Sequence, residues 1–168
     1  MSPEAQLDPA VEEDAERLAG AIYGTIVVAG VLVAAGDPGE TGEVDAIEAA
    51  GYAVATTVVF WLAHGLSQAL ARQAAGHPET SSRDALRREW PMVAATAPLL
   101  AIMAIAGALG ATDHQAISAA VWGSVVVLAS LGLVIAKREQ LTPGQAVRSV
   151  LRCAALGGLL VLLKVIVH

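Results

Sequence analysis

The sequence predicts an all-α integral membrane protein, a helical bundle with five transmembrane helices. Three observations carry that prediction. The 168 residues are 55% hydrophobic and only 15% charged, with a mean hydropathy of +0.60, whereas soluble domains carry roughly 25% charged residues. A water-soluble core of this size cannot hide such an excess, because small domains bury the least surface. The charges are also absent over four long stretches, each close to the roughly 20 apolar residues that cross a hydrocarbon core about 30 Å thick. Finally, no segment alternates in the manner of a barrel strand, and in lipid a lone segment satisfies its own backbone only as a helix. Disulfide scaffolds, disordered tails and nucleic-acid binders are excluded by the single cysteine, the long apolar runs and the net charge of −6.

The chain reads as one transmembrane domain, 1-168, led by an acidic segment, 1-17. That segment holds Glu4, Asp8, Glu12, Glu13, Asp14 and Glu16 against Arg17 alone, the reverse of a signal peptide's positive start, so no processing is expected. The spans fall at about 18-36, 49-71, 90-112, 114-136 and 146-167. The first four are charge-free over 19, 23, 23 and 23 residues. The fifth is interrupted by Arg148, Arg152 and Lys164 near its ends, where long basic side chains can reach the headgroups. Four spans plus an interfacial helix is the alternative. Helix starts are expected at Asp8-Pro9, at Asp45 with Glu48 three residues on, at Asp113 and at Thr142-Pro143, each offering a capping side chain. In the third span, Pro91 lies near the start, and Pro98 should free a carbonyl and bend the helix.

Lys and Arg counts in short loops orient such a chain. The basic loop 72-89 carries Arg72, Arg83, Arg87 and Arg88, and the segment after span four carries Lys137, Arg138, Arg148 and Arg152. The connections after spans one and three carry none. This predicts a multi-pass protein of the inner (plasma) membrane with its N-terminus cytoplasmic and its C-terminus outside. The outer face then collects Asp37, Glu40, Glu43, Asp45, Glu48 and Asp113, a field that would concentrate cations.

Ala46–Ala53 echoes Ala116–Gly123 at an offset of 70, and Arg17 falls on Arg87 at the same offset. This is compatible with a duplicated hairpin in parallel orientation. Gly20-xxx-Gly24, Ala119-xxx-Gly123, Ala104-xxx-Ala108 and Gly157-Gly158 permit close helix approach, within one chain or between copies.

Span two has the richest polar content. At 100° per residue Thr57, His64 and Gln68 lie within about 40° of one face, flanked by Phe60, Trp61 and Ser67. A titratable group in lipid is costly and is a functional candidate, and His64 can change charge near neutral pH. A histidine that packs against a neighbouring helix, or is wetted from the cytoplasmic end, is the competing explanation. His77, His114 and His168 are scattered, and with Cys153 they offer no metal or haem spacing. No phosphate loop, serine elbow or His-Glu-x-x-His pair is present. The expectation is a non-enzyme with no cofactor and no metal.

Val59-Phe60-Trp61-Leu62-Ala63-His64, with Ala21-Ile22-Tyr23-Gly24 in span one, resembles small multi-pass membrane proteins of high-GC bacteria that have no assigned activity. The resemblance covers less than a tenth of the chain. It implies about five helices and transfers no site.

Taken together, the residues suggest an oligomeric channel or transporter for small cations or protons. Thr57, His64, Ser67 and Gln68 would line its path, with Asp45, Glu48 and Asp113 as outer-mouth acids. The alternative is a non-catalytic accessory or structural subunit of a larger membrane complex. Its partners would be the lipid bilayer and helices, in a homo-oligomer or another protein, that meet its Gly/Ala faces.

Overall fold

The computed structural model describes residues 9–35, 44–76 and 81–167. Their elements are α1 (Pro9–Ala35), α2 (Ala46–Ala74), α3 (Ser82–Arg88), α4 (Trp90–Ala94), α5 (Thr96–Ala108), α6 (Asp113–Arg138) and α7 (Pro143–Val167). They form an all-α bundle with five spans long and apolar enough to cross a bilayer, α3 to α5 together making the third.

Local chemistry sets the boundaries. Asp45 caps α2 by accepting from the Glu48 backbone N–H at 2.6 Å. The start of α6 corrects the expected cap: Thr112, not Asp113, holds that position. Its hydroxyl accepts from the Gln115 N–H while the Gln115 side chain accepts from the Thr112 N–H. A hydroxyl residue followed three positions later by Gln satisfies two orphan donors at once, an advantage Asp113 lacks. Gln145 likewise accepts from the Thr142 N–H at 3.0 Å before α7. The expected start at Asp8-Pro9 is met on its Pro9 side, and Asp8 lies outside the described residues.

The third span is broken twice, at Glu89 and at Ala95. Each break lies just upstream of a proline. Pro98 has no N–H for the Ala94 carbonyl and Pro91 has none for that of Arg87, so the ladder lapses there. Thr96, next to the second break, is buried with its hydroxyl unpartnered.

Helix α1 packs against every other helix and α6 against α1, α2, α5 and α7, while α2 and α7 lie at the periphery. The echoed segments of α2 and α6 thus sit in different surroundings. The apolar core joins Val28, Leu32, Leu99, Met103, Ile117 and Val121 to small residues such as Ala53 and Ala120. In lipid, packing and not apolar burial drives helix association, so close approach matters most. A Cβ on Gly24 would overlap the Met92 carbonyl oxygen, one on Gly132 would lie 2.9 Å from the Val150 Cα, and one on Gly157 2.8 Å from the Val125 Cα. The Ser149 hydroxyl adds a 3.2 Å hydrogen bond to the Gly132 carbonyl. By contrast, Ala104 and Ala108 face outward and Gly158 meets nothing.

Candidate functional site

Three ion pairs gather the charged ends of the helices at one end of the bundle. Glu16 on α1 lies 3.9 Å from both Arg72 and Arg88, and Asp14 pairs with Arg138 at the end of α6. All are partly exposed, so each contributes little by itself. They mark where the apolar spans end and the polar belt begins.

Next to that belt sits the most concentrated polar and aromatic group. The break between α3 and α4 turns the Glu89 side chain toward the bundle, where it is only 18% exposed and its Oε1 lies 3.6 Å from His64 Nε2. That separation exceeds a hydrogen bond, and the pair attracts as ions only when the imidazole is protonated. Gly20 leaves space beside Glu89, since a Cβ there would lie 3.9 Å from its Oε2. Tyr23 stacks on His64 with ring centres 6.3 Å apart and meets Phe60 edge-on. Trp61 donates from Nε1 to the Leu86 carbonyl at 2.8 Å and packs edge-to-face on Trp90. That hydrogen bond ties α2 to α3.

The span-two candidates do not share one environment. Thr57 is fully buried and returns its hydroxyl to the Ala53 carbonyl at 2.7 Å. His64 is about half exposed, with 47% of its side chain accessible. Ser67 is exposed and bonded to the Ala63 carbonyl, and Gln68 is half-buried. The divergence has a geometric cause. The buried row of α2 runs Ala49, Ala53, Thr57, Gly65 and Ala69, with half-buried Trp61 completing it. A row spaced by four residues precesses ~40° per step around a helix of 3.6 residues per turn. At the level of Gly65 it has therefore rotated away from the direction shared by Thr57 and His64.

A second row lies opposite the first. Gly51, Ala55, Val59, Ala63, Ser67 and Ala71 are all exposed, which gives α2 two rows rich in small residues, one turned into the bundle and interrupted by Trp61, the other turned away from it and interrupted by Val59.

No family model matches the chain, and neither a curated protein nor a solved structure does.

At the far end the acids have local duties. Asp45 caps α2, and Glu48 accepts from the Tyr52 hydroxyl at 2.6 Å. Asp113 occupies the first turn of α6, exposed. Asp37, Glu40, Glu43, His77 and His168 lie outside the described residues. Among the described residues no three His, Cys, Asp or Glu side chains converge as metal ligands. Sequence reasoning overlooked Glu89 and Tyr23. Glu89 served only as a span boundary, yet an acid directly before Trp90-Pro91 marks a helix restart, and a restart is what lets the carboxylate turn inward.

Proposed function

We propose that this protein is a non-catalytic multi-pass subunit of the plasma membrane that assembles with further copies of itself through the outer face of α2. The observation that carries this reading is the exposed row Gly51–Ala55–Val59–Ala63–Ser67–Ala71. Small residues spaced by four let two helix backbones approach closely in lipid, and such a row has little packing value against mobile acyl chains. Its counterpart, Ala49–Ala53–Thr57–Gly65–Ala69, already does this work inside the bundle. Ser67 supplies a hydroxyl at the same face, and interhelical hydrogen bonds of that kind contribute about 0.6 kcal/mol each. The assembly needs no cofactor. Basic loops on the cytoplasmic side set its orientation.

Oxidative cross-linking in native membranes tests the proposal. The single native cysteine, Cys153, is buried between α6 and α7, so an introduced thiol reports alone. Ala55→Cys should give a cross-linked dimer, and Val134→Cys, exposed on α6, should not. Equal cross-linking at both positions would indicate random collision and overturn the assembly.

A second reading is conduction of protons or small cations between the assembled copies. His64 beside Glu89 favours it, because two groups that both exchange protons sit 3.6 Å apart on a partly open face. Purified protein in liposomes should then carry a gradient-driven flux that His64→Ala abolishes. Liposomes silent in every gradient would remove this reading and leave the assembly standing.

A further inference from the structure

A groove on the charged end, apart from the α2 outer row, has the composition of a lipid headgroup site. Its walls are Trp61, Leu86, Trp90, Arg83 and Arg87, around a cavity of about 420 Å³. We propose that this groove binds the phosphate of an anionic phospholipid, with the acyl chains descending beside the Trp61–Trp90 pair.

Charge is the first argument. Arg83 and Arg87 are one turn apart on α3 and exposed. Of the eight arginines, Arg17, Arg72, Arg88 and Arg138 have acidic partners within 4 Å, whereas Arg83 and Arg87, like Arg148 and Arg152 on α7, have none among the described residues. Asp84 lies between them in sequence but turns to the neighbouring cleft, which it lines with Glu13, Glu16, Arg17, Arg87 and Arg88. That cleft is mixed in sign and shares Arg87, whereas the charged residues lining the Trp61 groove are both cations. Guanidinium groups offer planar, paired donors that suit phosphate oxygens.

Position is the second argument. Trp61 and Trp90 stack edge-to-face with ring centres 5.8 Å apart, and Trp90 stays 55% exposed. Tryptophan in this setting prefers the boundary between headgroup and hydrocarbon. The Trp61–Leu86 hydrogen bond ties α3 to α2 beside the indoles, so both guanidinium groups share the groove with the rings that favour that boundary. A free phosphate would use the arginines and gain nothing from the indoles, whereas a lipid uses both.

Tryptophan quenching by brominated lipid provides the test. Trp122→Phe removes the tryptophan remote from the groove, leaving Trp61 and Trp90 as the reporters among the three present. In phosphatidylcholine bilayers, brominated phosphatidylglycerol should quench more than brominated phosphatidylcholine at equal mole fraction, with an apparent preference on the order of tenfold for two basic groups. Arg83→Gln with Arg87→Gln should abolish the preference, and Arg83→Lys with Arg87→Lys should retain part of it. Millimolar inorganic phosphate should leave the quenching unchanged. Equal quenching by the two lipids in the parent protein overturns the proposal before any arginine variant is made. Displacement of the brominated lipid by phosphate would overturn the lipid as occupant, and a preference that survives the double Gln change would overturn the arginines as its source.

Discussion

At the scale of single residues, backbone proximity decides which positions are sensitive. Gly24 and Gly30 lie on the same helix within an apolar run, and pattern alone treats them alike. A Cβ on Gly24 would collide with the Met92 backbone, which belongs to a packed helix and cannot swing aside, whereas a Cβ on Gly30 meets nothing within 4 Å. Overpacking of this kind costs about 1–3 kcal/mol, and a helical Gly→Ala change at an open site gains up to about 1 kcal/mol. Gly24→Leu should therefore lower stability by at least that cost, and Gly30→Ala should hold or raise it, as read by unfolding in mixed detergent–SDS micelles. The candidate site shows the same limit of sequence reading. The polar content of α2 was legible. The inward turn of Glu89 and the parting of Thr57 from His64 were not, because both depend on which azimuth of α2 meets α1 and α3 at each level. Periodicity alone does not contain that choice.

At the scale of elements, helix ends follow one recipe with one departure. The C-terminus of α5 closes with the Ala111 N–H on the Ala106 carbonyl, and that of α6 with the Leu141 N–H on the Ala136 carbonyl. Both closures place the residue past the cap in the left-handed region, Gly110 at φ 89° and Gln140 at φ 49°. Glycine adopts that conformation freely, and a residue with a Cβ does so at a cost of roughly 1 kcal/mol. Gln140→Gly should therefore raise stability by up to about 1 kcal/mol and Gln140→Val should lower it, with the spans unchanged by circular dichroism. The five-span fold was readable because charge-free length is a property of the chain and survives any packing arrangement. The fifth span was the hardest to read, since Arg148 and Arg152 lie inside α7, yet they occupy only its first three turns, where they can reach the polar belt. The interruption of the third span was legible through Pro98. The restart at Glu89 was not expected, because Pro91 near a span start reads as a harmless first-turn proline.

At the scale of the whole molecule, the segregation of charge is the property with the largest energetic consequence. Arg72, Arg88 and Arg138 are tied by Glu16 and Asp14 to one end, and Arg83, Arg87, Lys137, Arg148 and Arg152 belong to helix segments at that same end. The segment 109–113 and the start of α2 at the opposite end carry Asp45, Glu48 and Asp113 and no Lys or Arg, and Lys164 falls near the end of α7. Moving one elementary charge across a membrane potential costs about 2.3 kcal/mol per 100 mV, so translocating several basic side chains outward would cost far more than any single packing contact returns. Insertion with the basic end inside is therefore the expected outcome. A membrane-impermeant maleimide reads this directly, because buried Cys153 leaves the background silent. Leu109→Cys, 83% exposed at the acidic end, should label in intact cells, and Glu139→Cys, exposed at the end of α6, should label only after the membrane is opened. The reverse pattern would place the basic end outside, and with it the groove at Trp61 and the Glu89–His64 pair. Labelling of both sites in intact cells would mean that the copies adopt both orientations, leaving the charge difference between the two ends too weak to choose.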